Sequence, residues 1–155
     1  MDCGAQVVAA ARAMVGVPFR LHGRSRESGV DCVGLVMLAL EAAGQGRALC
    51  VAPARYSIRG GHVSLFHQGL TRAGLRPVEC GRAGDVVLVR VGVGQFHLMI
   101  ATSDELVPDG GHIHAHAGLG RVVEMPGESP WPVLERWRLN GSASRADRHP
   151  EDGEP

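Results

Sequence analysis

The sequence predicts an α+β domain in which N-terminal helices pack on a C-terminal antiparallel sheet, and three observations lead there. Up to about residue 75 the apolar residues recur at helical spacing, whereas from Gly84 onward they come in short alternating runs broken by Gly, Pro and Asp. The stretch from Cys32 to Ala43 is apolar all round, as a helix buried at the centre of a domain must be. Helices first and strands afterwards point to an α+β domain, and 155 residues fit one domain better than two.

Each element has its own signal. In "CGAQVVAAARAMVG" Val7, Val8, Ala11 and Met14 or Val15 share a helical face, and Gly16 with Pro18 ends the helix. "VPFRLHGRSRESGV" is polar and glycine-punctuated, hence a loop. Asp31 then stands where an N-cap belongs, ahead of a second helix that stops at Gly44. Residues 61–73, "GHVSLFHQGLTRA", allow a third, amphipathic helix. The strands are "DVVLVRV", "QFHLMIAT", "HIHAHA", "RVVEM" and "VLERWRL". The domain is read as residues 1–141, and 142–155, "SASRADRHPEDGEP", as a disordered tail too poor in apolar residues to pack.

Composition excludes several classes. Lys plus Arg balances Asp plus Glu at 16 each, so no global field draws the chain to nucleic acid or to an anionic membrane. Aromatic residues make up only 4%, too few for base-stacking platforms. The N-terminus has an acid at position 2, no basic segment before its apolar stretch and an arginine at 12, so it does not read as a secretory signal and implies synthesis in the cytoplasm. No uncharged apolar run reaches the roughly 18 residues of a membrane span. The cysteines at 3, 32, 50 and 80 form no CxxC pair and are read as free thiols.

Cys32 is the thiol of interest. At the first turn of a buried helix it meets unpaired N–H groups and the positive end of the helix dipole, which lower its pKa and favour the thiolate. Taken alone, it reads more readily as a small buried hydrophobe. The strand histidines change the balance. Alternation in "QFHLMIAT" puts Phe96, Leu98 and Ile100 on one face and His97, Met99 and Ala101 on the other. In "GHIHAHAG", His112, His114 and His116 share a face, and a neighbouring strand would bring one of them beside His97. A thiol, a His to accept its proton and a polar group to hold that imidazole make an acyl-transfer constellation. Surface histidines, or a metal row in HxHxH, are the competing readings.

Together, "GVPFRLHGRSRESGVDCVGLV", "GDVVLVRV", "FHLMI" and "HIHAHAG", in this order and spacing, resemble the NlpC-type cell-wall cysteine peptidases, which are papain-like. The likeness spans about residues 5–139. It implies a papain-like fold with Cys32 as nucleophile, His97 as general base and His114 orienting His97. It also implies hydrolysis of amide bonds in peptidoglycan stem peptides, commonly the bond after D-γ-glutamyl, with neither metal nor organic cofactor. Within that family "GDVVLVR", "IHA", "VVEMP" and the Trp-containing final strand look most like phage-tail and gene-transfer-agent peptidases. That likeness implies tail-protein partners and delivery to the wall in a particle.

Three positions depart from the family pattern. Phe19 replaces a loop tyrosine whose hydroxyl can polarise the attacked carbonyl, Val33 replaces the serine after the cysteine, and Met99 replaces a glycine in the His motif. Phe19, Asp31 and Val33 are thus the candidate oxyanion or substrate positions, with Asp31 expected first of all as a helix cap. These departures keep open a catalytically weak structural tail-tip protein, and the same Cys and His would also serve a thiol acyl- or amide-transferase.

Overall fold

A computed structural model describes residues 2–44, 63–107 and 110–142. Cys50 and almost all of the tail read as disordered lie outside the described residues. Helix α1 spans Cys3–Arg12 and is capped by Asp2, whose carboxylate accepts the Ala5 N–H at 2.8 Å. Its buried face is Val7, Val8 and Ala11. Helix α2 spans Cys32–Ala42, and eight of its eleven residues are buried, so it forms the centre of the molecule. Helix α3 spans Val63–Arg72 and buries Phe66, Gly69 and Leu70. Among the described residues no helix is long and apolar enough to cross a membrane.

The loop before α2 contains two short strands, β1 (Arg24–Ser25) and β2 (Gly29–Val30), paired antiparallel. The main sheet consists of β3 (Leu75–Val78), β4 (Val86–Gly92), β5 (Gln95–Ala101), β6 (Gly111–His116), β7 (Arg121–Pro126) and β8 (Val133–Leu139). Their spatial order is β3-β8-β4-β5-β6-β7, and all neighbours run antiparallel. β3 was not expected. Its Pro77 removes a ladder donor, which an edge strand tolerates and an alternation pattern hides.

The sheet has two unlike faces. Val86, Leu88, Leu98, Ile100, Ile113 and Ala115 pack on the helices in the principal core. Val87, Val89, Met99 and Ala101 form a smaller cluster on the reverse face, against Trp131 and Val133. Met99 therefore fills a second apolar layer. Asp85, 1% exposed, fixes one end of the sheet: Arg138 on β8 donates to its carboxylate from Nε and Nη2, both at 2.8 Å. That geometry gives the GD pair before β4 a structural use.

One feature of the sheet positions the site. β5 and β6 pair only at Ile100 with Ile113 and Ala101 with His112, so toward His97 and His114 the strands part. The start of α2 meets the sheet at this opening.

Candidate active site

Asp31 caps α2 in an extended conformation and is fully buried. Its Oδ1 accepts the Gly34 N–H at 2.9 Å and Nη1 of Arg24 at 2.8 Å, while Oδ2 accepts the His22 N–H at 2.8 Å. The carboxylate thus ties helix and preceding loop together, and it is not among the residues lining the cavity described below. Gly34 makes this close approach possible, because a Cβ there would lie 2.1 Å from the Gly23 carbonyl oxygen. His22 adopts φ 61°, the left-handed region in which glycine is at ease.

Cys32 opens α2 and is 1% exposed. It lines a cavity of about 250 Å³ together with Phe19, Phe96, His97, His114 and Trp131, and the turn from His116 to Gly118 forms another part of the wall. His97 Nε2 lies 2.8 Å from His114 Nδ1, with the rings edge to face at 5.0 Å. That contact leaves Nδ1 as the His97 ring nitrogen not engaged with His114. On its far side, His114 Nε2 lies 2.8 Å from Sδ of Met125 on β7. Among the described residues no hydrogen bond joins the Cys32 sulfur to His97, so thiol and imidazole share the cavity without a formed bond between them.

Burial sets the charge state of all three groups. It pushes the Cys32 thiol up to about 12, with the neighbouring Asp31 carboxylate adding to the shift. The Leu98 and Val33 N–H groups and the Arg24 guanidinium pull the other way without prevailing. The expectation of a lowered thiol pKa is therefore corrected: burial, with the Asp31 carboxylate beside the thiol, outweighs what the helix start supplies. Burial first, then the charges of His114 and His116, lowers His97 to about 3. His114 falls to about 4 through burial and then through His116 and His112. The resting pair is thiol and neutral imidazole.

Of the remaining sequence candidates, Phe19 stands in the cavity wall, where its ring contributes no hydroxyl. Val33 is 2% exposed and packed in the principal core, away from the cavity. His116 lines the cavity with its ring 5.4 Å from that of His114, and its Nδ1 accepts the Leu119 N–H. Among the described residues no group of three or more His, Cys, Asp or Glu is arranged to hold a metal ion.

Trp131 was not singled out from the sequence. Its ring meets His97 at 5.8 Å and His114 at 5.6 Å, edge to face in both cases. Ser129 Oγ, which accepts the Trp131 N–H and donates to its carbonyl, fixes the turn. Trp131 also borders a larger groove of about 730 Å³ along the strands, lined by Asp104, Glu105, His112 and Arg136 among others. The larger hollow holds no cysteine, and the nucleophile candidate sits in the smaller one.

No family model matches the chain, and no curated protein matches it in sequence. Solved structures do. The P60 domain of an antigen from M. avium subspecies paratuberculosis is similar at 17% identity and TM-score 0.58, over 91% of this chain and 96% of that one. The peptidoglycan hydrolase RipB of Mycobacterium tuberculosis is similar at 22% identity and TM-score 0.55, over 88% of this chain. The chain spans 64% of that RipB chain. At these identities it is the fold that is shared: helices followed by an antiparallel sheet, in the arrangement of the P60 domain.

Proposed function

We propose that the protein is a cysteine peptidase that hydrolyses amide bonds of peptidoglycan stem peptides, with Cys32 as nucleophile, His97 as general base and His114 as the group that orients His97. The observation that carries this reading is the meeting of all three in one cavity, where the strands part at the start of α2, with His97 tied to His114 by Nε2. The fold likeness to a peptidoglycan hydrolase supports the substrate class.

Because thiol and imidazole both rest neutral, proton transfer accompanies attack. His97 Nδ1 takes the thiol proton as the sulfur adds to the amide carbonyl, and the oxyanion is met by the Cys32 backbone N–H at the start of α2. The imidazolium then protonates the leaving amine, and water resolves the thioester with His97 again as base. His114 carries no negative charge to stabilise the imidazolium, so its part is orientation. Digestion of purified peptidoglycan, wild type beside Cys32→Ala, with mass analysis of released fragments, tests the reading. Fragments cut within stem peptides by the wild type alone support it, and an undigested polymer under both overturns it.

The narrower likeness in "GDVVLVR", "IHA" and "VVEMP" supports action from a phage-tail-like particle. Particles carrying Cys32→Ala would then adsorb normally and fail to deliver DNA. A second reading, a structural tail-tip protein of the same fold, is favoured by the near-complete burial of the sulfur and predicts normal delivery. The same thiol and base also serve acyl transfer, which added amine acceptors would reveal as ligated products.

A further inference from the structure

His114 is held from both sides. Its Nδ1 faces His97 Nε2 at 2.8 Å and its Nε2 faces Met125 Sδ at 2.8 Å. β6 and β7 pair with His112 opposite Met125 and His114 opposite Val123, so the Met125 side chain reaches His114 diagonally on one face. Neither neighbour is an acid.

A thioether sulfur accepts hydrogen bonds and cannot donate, whereas a neutral imidazole has one N–H and one lone pair. The contact with Met125 is therefore attractive only when Nε2 of His114 carries the hydrogen. His114 Nδ1 is then a bare acceptor, and its contact with His97 requires the hydrogen on His97 Nε2. The lone pair of His97 consequently lies on Nδ1, the nitrogen left for the thiol. With both tautomers reversed, a buried lone pair of His114 would face the lone pairs of sulfur, and His97 Nδ1 would carry a hydrogen and could not act as a base. Burial keeps both rings uncharged near neutrality, so tautomer rather than charge is what the surroundings decide.

We propose that Met125 is a positioning residue: its thioether selects the Nε2–H tautomer of His114 and, through it, makes Nδ1 of His97 the proton acceptor. The catalytic consequence rests on the cysteine-peptidase reading, but the tautomer assignment stands without any reaction. Met125 is not among the residues lining the cavity that holds Cys32, so it acts through His114.

Two variants separate this role from packing. Met125→Leu nearly conserves volume and removes the acceptor, and Met125→Gln restores an oxygen acceptor at similar reach. Long-range proton–nitrogen correlation spectra of the full chain, with ¹⁵N-histidine and no substrate, read the tautomer of each ring directly. The wild type and Met125→Gln should show Nε2–H at both His97 and His114, while Met125→Leu should show a substantial Nδ1–H population at His114. Stem-peptide hydrolysis by Met125→Leu should fall about tenfold in kcat with KM unchanged, in keeping with one lost hydrogen bond, and recover in part in Met125→Gln.

Nδ1–H in the wild type at either ring overturns the inference, whether or not the leucine variant folds. So does a leucine variant that keeps the wild-type tautomers. If the tautomers respond as expected while the wild type leaves every stem peptide intact, the tautomer role holds and the peptidase reading is the part that fails.

Discussion

Lowering the pH should destabilise this protein through two particular histidines. His114 is buried and His97 partly buried, both neutral, with pKa values lowered from 6.5 to about 3 for His97 and about 4 for His114. Between those values and 6.5 the unfolded chain binds protons that the folded chain refuses. The stability they contribute is therefore complete above 6.5 and is lost as pH falls toward the folded values. From about pH 7 to about pH 5, unfolded-state protonation of one such histidine costs ~2 kcal/mol, and the pair costs roughly 3–4 kcal/mol. The result scarcely depends on the folded values as long as both stay well below 5. With a urea m-value of about 2 kcal/mol/M, the midpoint should fall by roughly 1.5–2 M. The assay is urea unfolding followed by tryptophan fluorescence at both pH values, for wild type and for the double variant His97→Gln, His114→Gln. Carboxylates and the other histidines titrate in both proteins and cancel in the difference. A double variant that loses as much stability as the wild type would refute the assignment of neutral buried rings to this pair.

The same charge states govern reactivity. With His97 neutral down to about 3, kcat/KM should stay level from about pH 7 to about pH 5, where a base of ordinary pKa would cause a loss of about 25-fold; a fall of that size, measured under conditions where the protein stays folded, would contradict the lowered pKa. Without substrate, iodoacetamide near neutral pH should label exposed Cys80 well before Cys32, which is buried and protonated, and peptide mass mapping reads the order. Asp31→Ala removes the cap of α2 and leaves Arg24 without its 2.8 Å partner, so unfolding free energy should fall by ~2–4 kcal/mol in urea titrations.

What could be read in advance follows physical range. The start of α2 was legible because a cap and an apolar helix are local signals, and Asp31 followed by the apolar run from Cys32 declares both. The split of Phe96 and His97 to opposite faces follows from pleat alternation alone. β1 and β2, two residues each, are too short to show any period, and β3 is disguised by Pro77. Trp131 lies in a proline-flanked turn with no period, and only the chain's return beside β4 brings it to the histidines. Met125 reads as one more apolar residue of a strand until the register of β6 on β7 sets it against His114. The thiol pKa was misjudged for a related reason: the sequence shows that Cys32 begins a helix but not how deeply that turn is covered.

The most direct measurement of the central claim is capture of the acyl-enzyme. Wild-type protein mixed with a synthetic stem peptide should be quenched in acid within the first turnovers and digested for mass analysis. The peptide containing Cys32 should gain the mass of the acyl fragment, with none at Cys3, Cys50 or Cys80. The adduct should vanish in Cys32→Ala and form far more slowly in His97→Ala. Stem-peptide cleavage that persists in Cys32→Ala, or an adduct that forms at full rate without His97, would contradict the account.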